Sequence, residues 1–298
     1  DEKHAPVFFG RRRAIEQARA RLMAAANDGT SCLFILGASG SGKSSLVRAG
    51  LFPRLRVPEN TAPLVHRWRR VVVTPAALGA APIAGFARAL YGEDVLPELT
   101  DGDHRDPGSL AELLEANPEA GLRPIEAALD RWAHELAEAE GYGEPPTTGL
   151  LVGVDQLEEI FQLEPSSHEA FHGLLTALAE HPRIWLVLTL RSDYYPVLQN
   201  DAALQALKDR GRVFDLPEPS AADVRELVEG AARAAGLRFE ATETRDLAEE
   251  LEREASAPGA LPMLQFALQS LFERRDRQTG ELRLADYDAL GGAAGALA

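Results

Sequence analysis

Gly37-Ala38-Ser39-Gly40-Ser41-Gly42-Lys43-Ser44 stands between an apolar run, Cys32-Leu33-Phe34-Ile35-Leu36, and a helical segment opening on Ser45-Leu46-Val47-Arg48. Strand, glycine-rich turn and helix N-terminus in that order make a phosphate cradle, and the spacing is G-x-x-x-x-G-K-S/T. Gly37, Gly40 and Gly42 lack a Cβ, so the backbone can take positive φ and approach a phosphate. Successive N–H groups, those around Ser41 included, then converge on phosphate oxygens, and the helix dipole adds favourable potential. Lys43 is placed to reach the β- and γ-phosphates as a point charge, Ser44 to ligate Mg²⁺ through its hydroxyl, and Ser45 to bond near the α-phosphate. Lysine otherwise occurs only at Lys3 and Lys208, arginine supplying the rest of the basic side chains. A residue type this chain avoids stands where arginine would substitute poorly.

The 298 residues suffice for one large domain or two. No apolar run approaches a membrane span, and no signal peptide is visible. The chain opens on Asp1 and runs out through Gly291-Gly292-Ala293-Ala294-Gly295-Ala296-Leu297-Ala298, so a piece of a longer polypeptide is expected. The single cysteine, Cys32, lies in an apolar run and reads as a small buried hydrophobe in a reducing, cytoplasmic compartment. Seven histidines read as scattered, without metal-ligand spacing. A net charge of −15 argues against nonspecific binding to nucleic acid or an anionic membrane. Residues 1–75 carry 13 basic and 5 acidic side chains, against 18 and 41 in residues 76–298. The basic part holds the phosphate loop. Its arginines either form a solvated face or serve a nucleotide or acidic partner.

Working outward, residues 12–26 read as a helix with Ile15, Ala18 and Leu22 on one face. The helix after the loop is expected to end at Pro53. Residues 70–74 form a β-branched strand closed by Pro75, and residues 82–91, 108–116 and 122–140 read as helices. Residues 92–107 and 141–149 read as loops. Leu150-Leu151-Val152-Gly153-Val154-Asp155 is a strand ending in a carboxylate. Helical stretches at 157–163 and 167–179 follow. Residues 184–190 are nearly continuous in hydrophobicity, as a buried parallel strand should be, and run into Arg191-Ser192-Asp193. A fifth strand spans 211–216. Beyond Pro217 three helical segments, 220–235, 242–256 and 261–275, succeed one another with no strand between them, and Ser220 with Asp223 forms a variant capping box. The expectation is an α/β nucleotide-binding domain over residues 1–217 and a helical subdomain over 218–298.

A phosphate loop leaves Mg²⁺ half-liganded, and the missing carboxylate belongs at the C-terminal end of a parallel strand. Asp155 fits, either as that ligand or as the N-cap of the helical turn after it. Many ATPases place glutamate next; here Gln156 can position a water but not take its proton. Glu158 and Glu159, one turn on, either activate water or complement the helix dipole. Arg191 either senses the γ-phosphate or pairs with Asp193 or Asp155.

Taken in order, these motifs resemble the STAND NTPases, signal-transduction ATPases related to AAA+ proteins, and in particular the novel STAND NTPase 1 group. Phe8-Phe9-Gly10-Arg11 resembles the family's entry motif, and residues 37–51 its phosphate loop. Residues 154–161 are similar to V-D-Q-F/L-E-E-I/L-F, residues 188–195 to L-T-L-R-x-D-F/Y-Y, residues 259–268 to G-A-L-P-L/M-L-Q-F-A-L, and residues 287–298 to Y-x-x-x-G-G-x-x-G-A-L-A. The Arg-Pro-Gly expected after the second strand is Thr74-Pro75-Ala76-Ala77 here. The resemblance implies a five-stranded parallel sheet of order 5-1-4-3-2 followed by a helical subdomain. It implies that Phe9, Gly10 and Arg11 meet the adenine and that Pro262 packs on it. It also implies a switch held closed by ADP and opened by ATP, often with homo-oligomer formation. Fused sensors such as WD40-like repeats and separate effector modules would lie outside these residues. The expected activity is slow, Mg²⁺-dependent ATP hydrolysis; a turnover ATPase, a small-molecule kinase and an inactive scaffold are the alternatives.

Overall fold

A computed structural model describes residues 9–57, 60–61, 64–102, 106–255, 257 and 259–292. Phe8 of the entry motif and residues 293–298 of the closing motif lie outside the described residues. The chain divides into two compact units.

One unit, Glu16–Leu36 with Leu51–Asp215, carries the sheet. Strands β1 (Cys32–Gly37), β2 (Arg67–Val73), β3 (Thr148–Val154), β4 (Ile184–Arg191) and β5 (Arg212–Asp215) lie in the order β2-β3-β4-β1-β5. This is the expected 5-1-4-3-2 arrangement read from its other edge. All seven residues of β3 and the first seven of β4 are buried, because helices cover both faces of a parallel sheet. Edge strand β2 instead alternates, with Trp68, Val71 and Val73 buried. Val73 pairs with Val154 and Val154 with Leu188, so β2 and β3 finish together while β4 runs on to Arg191. The core beneath runs from Cys32 and Phe34 through Phe86, Leu129 and Phe171 to Leu207.

The other unit takes its described residues from Asp1–Ile15, Gly37–Gly50 and Leu216–Ala298. Helices Ala221–Ala234, Leu247–Ala255 and Leu261–Arg274 bury Val224, Val228, Leu251, Leu264 and Leu271 against one another. The capping box is present in full: Ser220 Oγ accepts from the Asp223 N–H, and the Asp223 carboxylate accepts from the Ser220 N–H.

Four local expectations change. The helix after the loop does not end at Pro53: Leu46–Leu51 is π-helical, and Pro53 sits in the first turn of Phe52–Leu55, where its missing N–H is tolerated. Pro75 opens the helix Pro75–Leu78, capped by the Thr74 hydroxyl, rather than only closing a strand. The helix expected from residue 122 starts at Pro118, capped by Asn117, and carries Pro124 inside it. Finally, a strand does separate the C-terminal helices: Arg238–Phe239 (β6) pairs in parallel with Glu281–Leu282 (β7). Two-residue strands present no periodicity from which to infer them.

Candidate functional site

The phosphate loop turns on two glycines in the left-handed region, Gly40 at φ +73° and Gly42 at φ +89°. Gly42 is the N-cap of the helical turn Lys43–Ser45, so the chain enters that turn with its first N–H groups at the loop. Gly37, expected to share the positive φ, does not. Its missing Cβ instead admits the Ser41 hydroxyl, which would lie 2.8 Å from a Cβ there. That hydroxyl is buried and makes no hydrogen bond among the described residues.

Lys43 is 8% exposed. Its ammonium donates to the Gly37 and Ala38 carbonyls, each at 2.8 Å. The charge is thereby held at the start of its own loop. Ser44 is half-buried and Ser45 exposed. Arg11 is also buried, and its guanidinium donates to the Ser41 carbonyl at 2.8 Å and the Pro217 carbonyl at 2.7 Å. Burial pushes the Arg11 pKa down from its ordinary value, against the raising influence of Asp223 and Glu218. Arg11 thus fastens the loop to the start of the C-terminal segment within this unit. The ring of Phe9 lies against Gly230, and Gly10 against the Asp223 carbonyl. Pro262 sits on the loop itself: its Cγ would be 2.9 Å from a Cβ on Gly40.

In the sheet-bearing unit the strand ends hold the carboxylates. Asp155 follows β3 and is 3% exposed; its Oδ1 accepts from the Thr189 hydroxyl of β4 at 2.7 Å. The Thr189 oxygen in turn accepts from the Gln156 N–H at 3.0 Å. Gln156, at φ +59°, is the sole non-glycine residue with positive φ among those described. The side chain of Gln156 is exposed. Thr189 therefore orients the carboxylate and the turn behind it together. Sequence reading did not single it out, because it sits within an apolar strand and its partners depend on the β3–β4 register.

The two glutamates part company. Glu158 is buried and accepts from the Arg191 N–H at 3.2 Å, whereas Glu159 accepts from the Ala76 N–H at 2.8 Å, at the head of the Pro75–Leu78 helix. The Arg191 guanidinium pairs with Asp193 at 2.7 Å and lies 5.5 Å from the Tyr194 ring centre. One more grouping was not expected from histidines read as scattered: His168 and His172 meet Asp201 in the same unit. The signal was their four-residue separation on a helix.

A model of the family described as Novel STAND NTPase 1 matches residues 1–298. Among solved structures, the ORC2 protein of Aeropyrum pernix, in its ADPNP-ADP complexes, is 16% identical with a TM-score of 0.57, over 98% of this chain and 69% of that one. Cdc6p from Pyrobaculum aerophilum is 17% identical with a TM-score of 0.53, over 92% of this chain and 64% of that one. Hsp104 of S. cerevisiae, in an extended complex with casein, is 14% identical with a TM-score of 0.51, over 96% of this chain and 42% of that one. At such identities the likeness is one of fold. The chain spans less than two thirds of the latter two. No curated sequence matches it. No helix among the described residues is long and apolar enough to cross a membrane.

Proposed function

This chain belongs to the Novel STAND NTPase 1 family, and we propose that it is an ATP/ADP-binding switch domain with slow hydrolysis. The observation that carries the reading is the phosphate loop: left-handed Gly40 and Gly42, and Lys43 held by its ammonium at the loop's opening carbonyls. The buried Ser41 hydroxyl adds a polar group inside that loop. Pro262 against Gly40 joins the loop to the helix Leu261–Arg274, and Arg11 between Ser41 and Pro217 joins it to the segment that leads into the C-terminal helices of the same unit. Such contacts support a loop whose nucleotide is read by those helices.

Mg²⁺ belongs to this proposal. Ser44 and Asp155 supply hard oxygen donors that suit it, and the ion would neutralise charge on the phosphates. Slow turnover is supported by Gln156, which cannot accept a proton, and by Glu158 and Glu159, whose carboxylates are engaged by backbone N–H groups. Arg191 is proposed to exchange Asp193 for the γ-phosphate, and Phe9, Gly10 and Pro262 to border the adenine. Nucleotide-gated self-association, in the cytoplasm and with fused sensor and effector modules, completes the reading.

The test is nucleotide content and turnover of the purified chain. Retained ADP, turnover well below one per second, and loss of nucleotide binding in Lys43→Ala are expected. Turnover of many ATP per second would make this a working ATPase instead, and unimpaired binding by Lys43→Ala would remove the loop from the site.

A further inference from the structure

We propose that His168, His172 and Asp201 form a binding site for a late first-row divalent metal ion, Zn²⁺ foremost. The helix Pro165–Glu180 sets the two histidines four residues apart, on one face. Their rings stand 4.2 Å apart, centre to centre, tilted by 56°. Asp201 is the N-cap of the helix Ala202–Arg210; its Oδ1 accepts from the Ala203 and Leu204 N–H groups at 3.1 and 3.0 Å. Its other oxygen, Oδ2, turns to the imidazoles, 3.4 Å from His168 Nε2 and 3.3 Å from His172 Nε2. The candidate ligand atoms all lie within 4.8 Å of one another.

Two features separate this from an ordinary histidine–aspartate hydrogen bond. Neither Nε2 makes a directed hydrogen bond among the described residues, although both atoms are buried. The two ring nitrogens converge on one oxygen without either pointing properly at it. Moreover, ligands 2.0–2.1 Å from a tetrahedral centre stand about 3.3–3.4 Å from each other, and the Nε2 to Oδ2 separations match that edge. The His172 side chain is 10% exposed, Asp201 11% and His168 25%, so the cluster is sheltered but open on the His168 side, where water can supply a fourth ligand. The Phe161 and His168 rings meet steeply inclined, their centres 6.0 Å apart, and this contact helps fix the orientation of His168. Two imidazoles and one carboxylate suit zinc, nickel or copper rather than Mg²⁺, which keeps this site distinct from the nucleotide's metal. An ion here would tie Pro165–Glu180 to the start of Ala202–Arg210 and so brace residues 192–200, which follow Arg191.

The experiment titrates the metal-stripped full chain with Zn²⁺ by calorimetry, with Mg²⁺–ADP present throughout, and with Co²⁺ by visible absorption. One ion per chain and the intense band of tetrahedral Co²⁺ are expected. His168→Gln and His172→Gln should each weaken Zn²⁺ binding by at least the roughly 10–100-fold that loss of an outer-shell partner brings. Asp201→Asn keeps an N-cap acceptor but withdraws the anionic ligand, and should weaken binding likewise. Circular dichroism of each variant checks the fold; should His172→Gln misfold, the other two decide. No stoichiometric Zn²⁺ uptake, or uptake unchanged in folded His168→Gln or Asp201→Asn, would overturn the site.

Discussion

An ideal Cβ on Gly10 would lie 2.2 Å from the Asp223 carbonyl oxygen and 3.2 Å from Leu227 Cβ, and φ there is +74°. Backbone opposes backbone, so no rotamer relieves the clash. Gly10→Ala is expected to destabilise the unit holding the phosphate loop by about 2–4 kcal/mol, combining overpacking with a left-handed alanine. Denaturant unfolding measures it, and a change under 0.5 kcal/mol would mean that Gly10 does not pack on the Ala221–Ala234 helix. At this scale the sequence was legible wherever a spacing implies a chemistry. Lys43 and Asp155 follow from position alone. The bonds of Arg11, a residue brought forward by the entry motif, did not: they run to carbonyls 30 and 206 residues away, and no local pattern encodes them. Nor did the left-handed Gln156, whose N–H finds its partner only once β4 lies beside β3.

Ser220 closes its helix in both directions, since its hydroxyl takes the Asp223 N–H and its own N–H goes to the Asp223 carboxylate. Ser220→Ala should lower stability by about 1 kcal/mol. A thermal or denaturant midpoint unchanged within error would show that the box contributes nothing beyond its geometry. The box could be read from sequence because its partners are three residues apart. The sheet could be read because β3 and β4 are apolar throughout, and that pattern belongs to strands covered on both faces. What escaped were elements with no periodic signal or with a misleading one. The β6–β7 pair joins residues 43 apart through two positions each. The helix Pro118–Glu140 accommodates Pro124 in its second turn, and a proline there argues against starting the helix earlier.

The whole chain distributes its nucleotide loop and its sheet between different cores. The hydrophobic core from Cys32 to Leu207 belongs to the sheet-bearing unit, whereas Gly37–Gly50 groups with Leu216–Ala298. Pro262 meets Gly40 of the loop from beyond residue 215, and Arg11, which bonds the loop at the Ser41 carbonyl, is itself held from there by the Pro217 carbonyl. A chain ending at Asp215 retains the five strands of the larger sheet and every residue of the larger core, so it is expected to fold cooperatively with that sheet intact. It also retains the complete phosphate-loop motif. If the motif alone held the nucleotide, ADP affinity would be unchanged. If the loop is set by the C-terminal helices, as the contacts of Arg11 and Pro262 argue, affinity should fall about tenfold or more, a loss of at least 1.4 kcal/mol. Calorimetric titration of ADP into the full chain and the truncated one distinguishes the two. Equal affinity in a folded truncated chain would leave the helices with no part in nucleotide binding and would withdraw the physical basis for the switch.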